Sequence, residues 1–271
     1  MSSDKSRGVA IVITIEKKTT KNIPFLVVED KDIVKSSAPV MVFYHGWTNA
    51  KESLMTQAYV FALDGYAVFV PDALLHGERK QENRALEGTT DFYRILFQNV
   101  KELPTLREYM EENGYDGTDI TVGGISMGGF TTSMLLTTYD WVTAGASFIG
   151  CPDPVSFGKD MLVQQYENGG KEKYPKEIWD DYFDQMDRLA SDLRHYSLAE
   201  NLNKILEKPY FIFHGGKDEV VPVKYDRLLA EDLKKSHGKH FRYSEQPSGG
   251  HHVPYRSLLE AIDFLNNERN Q

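Results

Sequence analysis

Apolar residues fall along this chain in two alternating rhythms. Five runs are almost continuously apolar: PVMVFYHG (39–46), YAVFVPD (66–72), DITVGGIS (119–126), AGASFIG (144–150) and PYFIFHGG (209–216). Such runs suit strands covered on both faces, as in a parallel sheet. Ahead of them, GVAIVITIEKK (8–18) and IPFLVVED (23–30) read as two strands joined by the polar turn KTTKN, and after them KHFRYSEQ (239–246) is mixed enough to read as an edge. Between the strands, helical spacing runs over about 51–64, 91–113, 127–140, 222–236 and 254–267. The alternation predicts an α/β fold: one domain over 1–271, with a mostly parallel sheet of about eight strands, right-handed crossovers and helices on both faces. Functional residues are then expected in the loops beyond the carboxyl ends of the strands.

One segment breaks the repeat. More than fifty residues separate GCPDP from KPYFIFHGG, and within them PKEIWDDYFDQMDRLASDL (175–193) places Ile178, Trp179, Tyr182, Phe183, Met186, Leu189, Ala190 and Leu193 at helical spacing. Pro175 suits the first turn of that helix. The segment predicts a helical cap over 153–200, too short to hold a core of its own. The ordinary role of such a stripe is packing against the body of the protein. Trp179, Tyr182 and Phe183 are also the candidates to line a substrate pocket.

Composition narrows the partners. At 271 residues with a formal net charge of −9, the chain has no electrostatic attraction for nucleic acid or an anionic membrane surface. The seven apolar-rich residues before Glu16 are too few for a secretory core or a span, and no later stretch reaches spanning length. The single cysteine, Cys151, excludes an internal disulfide framework and a cysteine-based zinc site, which predicts a cytoplasmic protein. Small molecules or proteins are left as partners, a homodimer included.

The candidate chemistry centres on Gly124-Ile125-Ser126-Met127-Gly128, a G-x-S-x-G pattern placed between an apolar strand and a helix. A nucleophile on so sharp a turn sits in strained backbone, and glycines flanking it remove side chains that would collide with neighbouring elements. The pattern alone is equally a glycine-rich turn with a serine at the start of a helix. A serine hydroxyl also needs a base and a group to orient that base, in the chain order serine, acid, histidine. Asp218 follows the 209–216 run and is the candidate acid; Asp153 in CPDP is the rival, and a helix cap is the alternative role for Asp218. His251 and His252 follow the last strand, and His251 is the candidate base.

A tetrahedral intermediate needs hydrogen-bond donors for its oxyanion. The loop Tyr44-His45-Gly46-Trp47-Thr48 follows the third strand, so the backbone NH groups of Trp47 and Met127 are the predicted pair, each worth about 3 kcal/mol to a transition state. Gly46 is expected to let this loop turn close to the substrate. His45, His76 and His214 each precede a glycine at a strand end, and with Asp72 they raise the question of a metal. Their spacing matches no compact zinc motif, so each is expected to bond to backbone, with no metal and no cofactor.

In order, YHGWTNAKE, PDALLHGER, GGISMGG, FHGGKDEVVP and HHVP resemble the α/β-hydrolase superfamily over nearly the whole chain. More narrowly they look like the small bacterial esterases related to the prolyl oligopeptidase and dienelactone hydrolase branches. The resemblance implies a triad of Ser126, His251 and Asp218, a serine rather than a cysteine nucleophile, and a cap after the sixth strand. The resemblance is to the hydrolase part of the large oligopeptidases, and the propeller that screens peptides in them is not expected. The expectation is a carboxylesterase-like serine hydrolase for small acyl or aryl esters. The alternatives are a peptidase or amidase with the same triad, a non-catalytic binding protein of this fold, and a metal-dependent hydrolase.

Overall fold

The computed structural model describes residues 11–270. Its centre is an eight-stranded sheet built from β1 (Ile13–Thr20), β2 (Ile23–Asp30), β3 (Val40–Tyr44), β4 (Ala67–Pro71), β5 (Ile120–Ile125), β6 (Val142–Phe148), β7 (Tyr210–Gly215) and β8 (Phe241–Gln246). The spatial order is β1-β2-β4-β3-β5-β6-β7-β8. β1 and β2 form a hairpin whose turn residues Lys21 and Asn22 both take positive φ. β2 pairs antiparallel with β4, and every later pairing is parallel. Residues 8–10 of the first expected strand lie outside the described residues. β8 is the edge its mixed pattern predicts, with no residue fully buried.

The central strands are apolar throughout because both faces are covered. α1 (Met55–Leu63) and α8 (Tyr255–Arg269) contribute to a core with Phe43, Phe61, Phe148 and Phe211. On the other face α2 (Gly88–Glu112), α3 (Met127–Thr138) and α7 (Lys224–Lys235) bury Leu96, Phe130, Leu135 and Leu229 with Val42 and Val122. No helix among the described residues is long and apolar enough to cross a membrane.

Between β6 and β7 the insertion is more helical than its pattern predicts. α4 (Pro154–Gln165) precedes a kink at Asn168 and Gly169, then come the single turn α5 (Lys171–Lys173) and α6 (Lys176–Leu193). α4 lies outside the expected helices: Val155, Phe157, Met161, Leu162 and Val163 make no clean helical stripe, and its start is set by Asp153, whose carboxylate accepts the Ser156 NH at 3.0 Å, with Pro154 behind it. Pro175 is the residue before α6, not within its first turn. α6 buries Trp179, Met186, Ala190 and Leu193 and leaves Tyr182 and Ile178 exposed, so only part of its stripe meets the body.

Candidate active site

β3 and β5 pair in register from Val40 opposite Ile120 to Tyr44 opposite Gly124, which sets the loop after β3 beside the turn after β5. At that turn Ser126 takes φ 55° and ψ −116°, a conformation that L residues rarely adopt. A Cβ on Gly124 would overlap the Gly128 backbone, and one on Gly128 would overlap the Tyr44 carbonyl. Two glycines therefore let β5, β3 and α3 converge around a strained serine that stays partly exposed.

His251 reaches this serine from the loop after β8. Its Nε2 lies 3.0 Å from Ser126 Oγ and its Nδ1 lies 2.7 Å from Asp218 Oδ2. With the Nδ1 proton donated to the carboxylate, Nε2 is left as an acceptor for the serine hydroxyl. Neighbouring His252 is exposed and makes neither contact. The rival acid, Asp153, is occupied as the cap of α4.

Asp218 is buried, and its Oδ1 accepts the NH groups of Val220 and Val221 at 2.9 Å each. Burial works against its charge. Hydrogen bonds from His214, His251 and the two valine amides outweigh that effect and hold the carboxyl well below the usual carboxylate range. It is thus a fixed anion pointed at His251.

The loop carrying Trp47 is held by polar groups from the segment after β4. His45 Nε2 accepts the Ala73 NH at 3.0 Å, and His76 Nε2 accepts the Thr48 NH at 3.0 Å. Each ring's Nδ1 bonds a carbonyl, Gly46 for His45 and Leu74 for His76. The left-handed residue of the loop is Thr48, at φ 65°, and not Gly46, which instead backs directly onto Ser126 with room for no more than an ordinary contact. Neither the Trp47 NH nor the Met127 NH bonds a carbonyl elsewhere among the described residues. The Trp47 ring packs on His76 and Phe92.

Behind this loop lies a buried ion cluster whose members stand in the YHGWTNAKE and PDALLHGER stretches, neither of which shows by itself that they form a unit. Lys51 and Asp72 are both fully enclosed, with Nζ 2.6 Å from Asp72 Oδ2, and Asp72 also accepts the NH groups of Lys51 and Glu78. Glu78 and Glu52 complete the cage around the ammonium. Burial opposes the lysine charge, but these carboxylates raise its pKa far above the ordinary value. The nearest signal in the sequence is the pairing of a lysine after β3 with the acids of PDALLHGER, residues made adjacent only by the β3–β4 pairing.

His214, the third of the expected loop histidines, does more than bond to backbone. Its Nδ1 lies 2.6 Å from Asp226 Oδ2, and its Nε2 lies 2.8 Å from the Val221 carbonyl and 3.4 Å from Asp218 Oδ2. Asp226, on α7, carries no signal in the sequence beyond its charge.

Of the three aromatic candidates in the insertion, Trp179 and Tyr182 line a half-open cavity of about 660 Å³ between α2, α4 and α6. Phe183 is not part of its wall and stands against Tyr166 on the neighbouring segment. Trp179 is pinned by a 3.0 Å hydrogen bond from its indole to the Gly170 carbonyl. Tyr93 and Gly158 also border the cavity, directly beside Phe92 and Phe157, whose rings continue through contacts to Trp47 and Phe130 near the serine.

Comparison with known proteins places this arrangement. Residues 52–266 match the prolyl oligopeptidase family. YitV of Bacillus subtilis, to which an esterase activity is ascribed, is 32% identical over 94% of this chain and 98% of its own length. The esterase YjfP of Escherichia coli is 26% identical over the same shares. Among solved structures, a Thermus thermophilus protein superposes with a TM-score of 0.72 at 18% identity, covering 96% of this chain and 100% of that one. A dienelactone hydrolase homologue from Klebsiella pneumoniae gives 0.65 at 13% identity, covering 97% and 100%. The chain belongs to the prolyl oligopeptidase family, as an esterase-like hydrolase with the α/β-hydrolase fold.

Proposed function

We propose that this protein is a cytoplasmic serine esterase that cleaves small acyl or aryl carboxylic esters through an acyl-enzyme intermediate on Ser126. The observation that carries the reading is His251, whose two ring nitrogens meet Ser126 and Asp218 at 3.0 Å and 2.7 Å. The esterase designations of YitV and YjfP support it.

In the forward step His251 Nε2 takes the Ser126 proton as Oγ attacks the ester carbonyl, and Asp218 steadies the imidazolium that forms. The developing oxyanion is received by the Trp47 and Met127 NH groups, which are directed by the His45, His76 and Lys51 contacts and by the start of α3. His251 then gives its proton to the leaving alkoxide. A water deprotonated by the same nitrogen attacks the acyl carbonyl, the bond to Oγ breaks to release the acid, and His251 returns the proton to Ser126 Oγ. No cofactor enters any of these steps.

Ser126 and His251 are not on the wall of the cavity between α2 and the insertion, but its volume lies within the range of small-molecule sites and the Phe92 ring links it to Trp47, which supports a substrate with a modest apolar arm. Parallel kinetics on an aminoacyl p-nitrophenyl ester and the matching anilide test the reading. Efficient ester cleavage with little anilide cleavage is expected, and the reverse preference would make the protein a peptidase or amidase.

A further inference from the structure

The His251–Asp218 couple is repeated one layer deeper in the fold. His214 is the penultimate residue of β7 and Asp226 lies in the first turn of α7, both fully buried, and they meet at 2.6 Å through His214 Nδ1. On the far side of the ring, Nε2 faces the Val221 carbonyl at 2.8 Å and Asp218 Oδ2 at 3.4 Å. Only a donor satisfies that side, because both groups facing it are acceptors. The same Oδ2 is the oxygen that His251 Nδ1 approaches at 2.7 Å. Five side chains, Ser126, His251, Asp218, His214 and Asp226, thus form one continuous polar line from the partly exposed serine into the core.

We propose that His214 and Asp226 form a positioning couple for the acid of the triad. Asp226 fixes the ring of His214, and His214 in turn holds both Asp218 Oδ2 and the turn whose Val220 and Val221 amides bind Oδ1. The proposal rests on the triad reading given above and adds to it the source of Asp218's orientation.

Two further features fit a couple that carries one proton between its members. Burial opposes a charge on His214, but its bonds to Asp218 and Asp226 raise its pKa to about 10, while burial raises that of Asp226. Asp226 Oδ1 is buried without a hydrogen-bond partner among the described residues, so this carboxyl is committed to His214 alone. The other ionisable groups that sense the couple are Cys151 after β6, Tyr210 on β7, and Tyr243 and Glu245 on β8. Glu245 is engaged by Arg227 at 2.6 Å, and Asp218 faces His214 on its Nε2 side only, so Asp226 is the acid on the Nδ1 side.

The test compares wild-type enzyme with Asp226→Asn by p-nitrophenyl ester kinetics and by proton NMR in the far-downfield region of hydrogen-bonded imidazole NH groups. Wild type is expected to show resonances from both His251 and His214. Asp226→Asn is expected to remove the His214 signal, displace the His251 signal and lower kcat on the order of ten- to a hundredfold, with KM changed by less than about twofold. A folded Asp226→Asn enzyme with wild-type kcat and an unmoved His251 resonance overturns the coupling. If this variant does not fold, wild type labelled at Ser126 with a fluorophosphonate supplies the measurement: the His214 resonance shifts on labelling if the couples are joined, and an unmoved resonance overturns the proposal. A Ser126→Ala enzyme that stays active would refute the triad itself, which keeps the two failures apart.

Discussion

The carbonyl oxygen of Tyr44, at the end of β3, occupies the space that a Cβ on Gly128 would need. β3 and α3 are pressed together at the point where the chain turns through Ser126, and the strain at that residue is held by this contact. Gly128→Ala is therefore expected to cost roughly 1–3 kcal/mol of stability through overpacking and to lower kcat by a larger factor than its stability loss explains. Urea denaturation alongside ester kinetics checks it. A fully stable, fully active variant contradicts the packing described.

Lys51 and Asp72 make a second prediction, because removing one partner of a buried pair leaves the other charge uncompensated. Lys51→Met is expected to destabilise the fold by about 3–5 kcal/mol and to impair catalysis through the Trp47 loop. The double variant Lys51→Met/Asp72→Leu is expected to recover part of that stability. Thermal unfolding of the three proteins decides the matter, and a single variant as stable as wild type would show that the pair is idle.

His45 gives a pH dependence. Burial lowers its pKa to about 4, below the ordinary value near 6.5, and its unprotonated Nε2 accepts the Ala73 NH. A group whose folded pKa is depressed contributes stability that is present above the unfolded value and lost as pH falls toward the folded one. Unfolding midpoints should thus fall between about pH 6.5 and about pH 4, and His45→Gln should fall less steeply over that window. Parallel slopes for the two proteins would remove His45 from the account.

The cavity beside Trp179 predicts a change of specificity. Leu189 lies on its wall and is only partly buried, so Leu189→Trp narrows the space without entering the core of the sheet. For longer acyl p-nitrophenyl esters kcat/KM is expected to fall by about tenfold or more, with the acetate ester little affected. Equal effects on short and long esters would place the acyl group elsewhere.

What the sequence made legible follows from local chemistry. The parallel strands declare themselves as unbroken apolar runs, and the glycines around Ser126 answer to contacts that any tight strand-to-helix turn makes. Chain order in this architecture singles out Asp218 and His251 as candidates, and the fold brings His251 to Ser126 and Asp218 to His251. The Lys51 cage and the His214–Asp226 couple were not legible as units. Their members are ordinary charged residues made adjacent by strand pairing and by the docking of α7, and no spacing in the chain encodes that adjacency. α4 escaped because its boundary depends on a single cap and its apolar face is short, so periodicity alone was weak.

Asp218 gives a test of the proposed triad. On that reading Asp218→Asn removes the anion that fixes the His251 tautomer, and kcat is expected to fall roughly 10⁴-fold while the fold persists. A loss of tenfold or less would assign the orienting role to another group.

The most direct measurement of the central claim is covalent labelling of the nucleophile. Wild-type protein treated with a fluorophosphonate is expected to gain one adduct, located by peptide mass spectrometry on Ser126, with p-nitrophenyl acetate hydrolysis lost in proportion to labelling. Ser126→Ala, with the circular dichroism of the wild type, should neither label nor hydrolyse the ester. Retained hydrolysis in Ser126→Ala, or an inactivating adduct at any other residue, would contradict the account.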